Sequence, residues 1–175
     1  MLDLSSLKGR HRGQCIAVLG GGPTLLADLK KVPFDAILIG VNQHALLMNL
    51  DYIHYLDEAV YDVVKGADAP LCTHHREQCH IYTGIIPEFD ISGPSATWMA
   101  DYLGASKIII AGCDSYTLSR RYWHSMPNDR QPEKGSTSLE PWRKCRDYME
   151  RPGVVRILDC EVRRAPRVCE CVLCV

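Results

Sequence analysis

Five residues, Gly20-Gly21-Gly22-Pro23-Thr24, join the unbroken apolar run Cys15-Ile16-Ala17-Val18-Leu19 to the segment Leu25-Leu26-Ala27-Asp28-Leu29-Lys30. The first run reads as a buried strand, and the second as a helix start with Leu25, Leu26 and Leu29 on one face. A strand, a glycine loop and a helix in that order constrain the fold more than any other feature of the chain, because they open a parallel sheet. The loop itself has two readings. Glycine backbone N–H groups can approach an anion closely, and the helix start adds its partial positive charge. Pro23 suits a first helical turn, and Thr24 can cap or donate its hydroxyl. The other reading is a tight turn that needs glycine for sterics alone. No Gly-Lys-Ser/Thr follows, so the loop is not a Walker motif, and it is not a Gly-x-Gly-x-x-Gly fingerprint.

The same alternation continues downstream. Strands are expected over Ala36–Val41, Tyr52–Leu56, Ala69–Thr73, Lys107–Gly112 and Val154–Leu158. Lys107-Ile108-Ile109-Ile110-Ala111 is the near-continuous aliphatic run that a parallel sheet requires. Helices are expected over 44–49, 58–65, 94–103 and 141–149, the third capped by Ser92 with Gly93 and closed by Gly104. Alternating βα units with short loops imply an α/β fold: a Rossmann-like, doubly wound, mostly parallel sheet with helices on both faces. The polar, proline-bearing stretch from Ser125 to Pro141 lacks periodicity, which is the signature of a lid or a disordered loop. The expected organisation is one domain over 1–175. It has a core at 14–116, a lid at 117–141, and a helix, strand and Cys-rich tail at 142–175.

Composition narrows the class. A chain of 175 residues with 46% hydrophobic and 23% charged residues is ordinary for a globular protein. A net charge of −1 argues against a dedicated nucleic-acid coat. No apolar stretch reaches membrane-spanning length, and Met1-Leu2-Asp3-Leu4-Ser5 lacks the order of a signal peptide, so a cytoplasmic location is expected. Nine cysteines is an odd number in a chain long for a stapled scaffold, which points to reduced thiols.

In a doubly wound sheet, ligands bind beyond the carboxyl ends of the strands. Those ends are consistently polar here. They carry Gly20–Gly22, Asn42-Gln43, Asp57 and Asp114-Ser115-Tyr116, with Ser92-Gly93 opening the helix before the last of them. Each also has a structural reading: Asn42, Asp57 and Ser92 are ordinary caps.

Three motifs in order resemble the small bacterial sialyltransferases of glycosyltransferase family 42. They are Gly20-Gly21-Gly22-Pro23-Thr24, Val41-Asn42-Gln43, and Ser92-Gly93…Met99-Ala100…Leu103-Gly104…Lys107-Ile108…Gly112-Cys113-Asp114-Ser115-Tyr116. His124-Ser125 is similar to the family's lid pair. The likeness spans about residues 15–125, and the chain is much shorter than those enzymes. The glycine loop and Ser-Gly helix also resemble the hydroxymethylpterin diphosphokinase-like group. The first resemblance implies a nucleotide or nucleotide-sugar donor lying across the strand ends. Gly20, Gly21, Gly22, Pro23 and Thr24 would then cradle phosphate, and Asn42 and Gln43 would bind donor groups. Ser92 and Gly93 would meet ribose, phosphate or a carboxylate, with Asp57, Asp114 and Ser115 lining the same crevice. His124 would be the base, and Tyr116 and Tyr122 the leaving-group stabilisers. The second resemblance implies a nucleoside triphosphate with Mg2+ held by Asp57 or Asp114. A non-catalytic nucleotide or nucleic-acid binder is the third alternative.

Other clusters carry less. Cys72-Thr73-His74-His75-Arg76-Glu77-Gln78-Cys79-His80 matches no standard zinc spacing. Cys160, Cys169, Cys171 and Cys174 supply four thiols, but Cys-x-Cys-x-x-Cys is cramped for a Zn2+ cage, and apolar packing is the expectation. The segment 143–167 is rich in Arg, a solvated face or a surface for nucleic acid. The partner expected is a small-molecule nucleotide donor. The acceptor and self-association are left open.

Overall fold

The computed structural model describes residues 1–22, 24–43, 46, 48–113, 144, 145, 147, 148 and 155–157. The strands are β1 (Leu2–Asp3), β2 (Cys15–Leu19), β3 (Ile37–Val41), β4 (Tyr52–His54), β5 (Leu71–Thr73), β6 (Ile81–Tyr82), β7 (Lys107–Ala111) and β8 (Val155–Ile157). They form one sheet of order β1-β6-β5-β4-β3-β2-β7-β8, with every neighbouring pair parallel. The chain therefore winds outward from β2 through β3 to β6, then crosses back to lay β7 on the other side of β2. The Rossmann-like, doubly wound α/β fold is present.

Helices α1 (Leu25–Leu29), α2 (Tyr61–Val64) and α3 (Ser92–Tyr102) cover it. The period-2 alternation of each strand sorts its side chains onto two faces. Ile16, Val18, Ile39, Ile108 and Ile110 pack with Ala96 and Met99 of α3 and with Leu103, its C-cap. The alternate residues Ala17, Leu19, Ile109 and Ala111 pack with Leu25 of α1, while Ile53 and Leu71 meet Val64 of α2. Helices thus lie on both faces, and the central strands are apolar throughout because neither face meets water. Residues 144, 145, 147 and 148 are helical, and the buried Cys145 thiol donates to the Pro94 carbonyl of α3 at 3.1 Å.

Several local expectations shift. α3 begins at Ser92 itself, with Ile91 as the extended N-cap, because Ser92 and Gly93 adopt helical geometry. Gly104 follows α3 in the left-handed conformation at φ +93. The expected helix over 44–49 is turn and bend at 46 and 48; 44, 45 and 47 are outside the described residues. Two strands not anticipated, β1 and β6, pair with each other at the edge beside β5. Of the segment from Cys72 to His80, Cys72 and Thr73 belong to β5, and residues 74–80 form the arch to β6. Leu71 and His80 are locked by reciprocal bonds, with the Leu71 N–H donating to His80 Nδ1 at 3.0 Å and the His80 N–H to the Leu71 carbonyl at 2.9 Å. Among the described residues no helix is long and apolar enough to cross a membrane.

Candidate functional site at the carboxyl end of the sheet

The register pairs Leu19 with both Gly40 and Ala111, so the glycine loop emerges between the ends of β3 and β7, where the winding reverses. Its local geometry is settled by backbone contact. The Gly20 N–H donates to the Ala111 carbonyl at 2.8 Å, and the Gly22 N–H to the Gly112 carbonyl at 2.6 Å. A Cβ on Gly20 would lie 2.5 Å from both the Gly112 carbonyl oxygen and Cys113 Sγ. Gly112 adopts φ +62, and a Cβ there would meet Leu25 Cβ at 2.7 Å. The steric reading of glycine therefore holds at Gly20 and Gly112. Gly21 is buried, and its N–H is not among the loop's backbone bonds to described residues.

A buried carboxylate sits beneath this loop. Asp28 of α1 accepts the Gly112 N–H at 3.0 Å and the Thr24 hydroxyl at 2.7 Å on the same oxygen. Thr24 holds the N-cap position in helical geometry and makes no side-chain cap. Its hydroxyl is directed to Asp28 instead. Sequence reasoning gave Asp28 no role, because its backbone partner is 84 residues away.

Across the crevice, Asn42 follows the last residue of β3 and adopts φ +57; asparagine tolerates this left-handed conformation better than most residues. Its N–H extends the ladder to the His54 carbonyl at 2.9 Å, and its Oδ1 is buried without a hydrogen-bond partner. Gln43 beside it is buried, and its carbonyl accepts the Leu46 N–H at 3.3 Å. His54 closes β4 and is fully buried, with Nε2 at 2.8 Å from Ser95 Oγ in the first turn of α3. That bond seats the start of α3, with Ser92 and Gly93, over the carboxyl ends of the strands. Burial pushes the His54 pKa down to about 4, so the ring is neutral near pH 7. The Cys72 carbonyl favours the charged ring, yet it does not satisfy Nδ1, which has no hydrogen-bond partner. His54 and Ser95 were not singled out in the sequence. The only signal was a histidine in an apolar run.

The structure thus brings Gly20, Gly21, Gly22, Thr24, Asn42, Gln43, Ser92 and Gly93 to one end of the sheet. Asp57 is exposed three residues beyond β4, where its Oδ1 accepts the Ala59 N–H at 3.0 Å as a cap. Pro23, Asp114, Ser115, Tyr116, Tyr122, His124, Cys160, Cys169, Cys171 and Cys174 lie outside the described residues, as does the 117–141 segment. Among the described residues no group of three or more His, Cys, Asp or Glu is placed to hold a metal ion. Compared with known proteins, the chain matches no family model and no curated protein.

Proposed function

We propose that the chain is a small transferase that takes a nucleotide-activated donor at the carboxyl-end crevice, in the manner of a glycosyltransferase. The observation that carries this reading is convergence. Three separate βα units deliver the Gly20–Gly22 loop, Asn42-Gln43 and the α3 start to the point where the sheet reverses its winding, the place where such folds hold nucleotides. The first turn of the 11-residue α3 offers the N–H groups of Ser92 and Gly93 and the helix partial charge to a phosphate. The buried Asp28 carboxylate disfavours a second anion directly beneath Gly112, which leaves the Gly21 side of the loop for donor contact. The unpartnered Asn42 Oδ1 accepts from a donor hydroxyl or amino group.

In the reaction, the acceptor oxygen attacks the donor's anomeric carbon as the bond to the nucleotide phosphate breaks. His124 takes the acceptor proton, and Tyr116 and Tyr122 hydrogen-bond the departing phosphate. An ordinary histidine, with a pKa near 6.5, suits that role. The reading includes a cytoplasmic setting with reduced thiols.

The test is a thermal-shift screen against nucleotides, nucleotide sugars and pterins with and without Mg2+, followed by turnover on the best donor. Stabilisation by a nucleotide sugar without Mg2+ and turnover that His124→Ala cuts on the order of a hundredfold support the proposal. Stabilisation by nucleoside triphosphate only with Mg2+ supports the diphosphokinase-like reading instead. A normal rate in His124→Ala removes that residue as the base.

A further inference from the structure

A second concave site lies at the opposite end of the sheet, an open pocket of about 360 Å3. Three of its residues, Asp51, Pro70 and His80, each stand immediately before the first residue of β4, β5 and β6. The pocket is thus built by the amino ends of consecutive strands, remote from the crevice and independent of the reading above. Its volume falls at the small end of the usual ligand-site range.

The lining is divided by chemistry. Leu2, Leu7 and Ile81 supply an apolar wall. Arg10 and Asp51 are exposed and carry opposite charges into the same pocket, yet they form no ion pair with each other or with another described residue. One Asp51 oxygen accepts the Leu38 N–H at 2.9 Å, which fixes the carboxylate in place. In the same pocket the His11 ring bridges two neighbours, with Nδ1 at 2.8 Å from Gln14 Oε1 and Nε2 at 2.7 Å from the Tyr52 hydroxyl. An amide oxygen only accepts, so Nδ1 donates to Gln14, and in the neutral ring Nε2 accepts the Tyr52 hydroxyl proton. The Tyr52 oxygen then keeps its lone pairs for an incoming donor.

Two opposite charges that share this pocket without pairing to any described residue fit a ligand that bears both. We propose that this pocket binds a small zwitterion of the α-amino acid class with an apolar side chain. The ligand carboxylate pairs with the Arg10 guanidinium, a bidentate geometry that arginine favours. Its ammonium lies between the Asp51 carboxylate and the Tyr52 oxygen, and its side chain rests on Leu2, Leu7 and Ile81.

The experiment is calorimetric titration of the full chain with L-leucine as probe. Two analogues each lack one charge: 4-methylpentanoate and 3-methylbutylamine. Saturable binding of L-leucine is expected, with each analogue at least about tenfold weaker, as the loss of a charged hydrogen bond implies. Arg10→Met and Asp51→Asn should weaken L-leucine by the same factor or more. Asp51→Asn removes the charge without a packing change, since the new amide oxygen can still accept the Leu38 N–H. The absence of saturable binding, an analogue that matches L-leucine, or unchanged affinity in both variants would overturn the proposal.

Discussion

Glycine-to-alanine substitutions separate backbone strain from crowding at the point where β2 and β7 end. Gly112→Ala combines two costs. The residue sits at φ +62, where an L side chain loses about 1–2 kcal/mol, and the new methyl meets Leu25 Cβ at 2.7 Å. Overpacking of that kind costs typically about 1–3 kcal/mol, so destabilisation of roughly 2–5 kcal/mol is expected. Gly20→Ala has no left-handed strain. Its methyl would press on the Gly112 carbonyl oxygen at 2.5 Å, an atom held in the crossing, and a loss of about 1–3 kcal/mol follows. Two controls bracket these values. Gly13, at φ +83 with nothing within 4 Å, should lose only the conformational cost of about 1–2 kcal/mol. Gly66 has open space and no left-handed φ, so its alanine variant should be neutral or gain up to about 1 kcal/mol. Urea unfolding of the four variants reads the order directly, and for a chain of this size each kcal/mol moves Tm by roughly 2–4 °C. If Gly20→Ala and Gly112→Ala prove no less stable than Gly13→Ala, the tight backbone crossing at the switch point is wrong.

Two further predictions concern the buried polar groups. His54 binds a proton in the folded chain only near pH 4, whereas the unfolded chain does so near 6.5. The unfolded state therefore binds more protons between those values. This contribution is complete above about pH 6.5 and is lost as pH falls toward 4, by roughly 3 kcal/mol in all. Unfolding free energies measured at pH 7 and 4.5 should show this slope, and His54→Gln should flatten it; an unchanged slope in the variant means the loss comes from other groups. Asp28→Leu should cost about 1–3 kcal/mol by leaving the Gly112 N–H buried without an acceptor. Asp28→Asn keeps one acceptor and should lose less, and equal losses in the two variants would contradict the hydrogen-bond account.

The central sheet was legible where burial on both faces leaves no choice of residue. The expected β2 matches Cys15–Leu19, and β7 is Lys107–Ala111, one residue shorter than expected, because aliphatic runs of that length have few alternatives. The edge was not legible. β1 and β6 are two residues each, and β1 is a strand only through its pairing with a segment nearly eighty residues away. The start of α3 was misplaced for a related reason: serine and glycine favour caps locally, but the buried His54–Ser95 bond fixes the first turn from another strand. Of the candidate site, only the polar strand ends are visible in the sequence. Its buried supports, Asp28, His54 and Ser95, became visible only in three dimensions, since each answers a partner distant in sequence.

The claim that matters most is that the carboxyl-end crevice holds a nucleotide, and calorimetric titration of the best nucleotide from the screen into paired variants tests it. Asn42→Ala removes the unpartnered acceptor at the end of β3, and Ser92→Tyr fills the mouth of α3, two positions contributed by different βα units. Saturable binding to the parent chain is expected, weakened about tenfold or more in each variant, while Arg10→Met at the opposite end of the sheet binds as the parent does. Affinity unchanged in both crevice variants, or lost only in Arg10→Met, would contradict it.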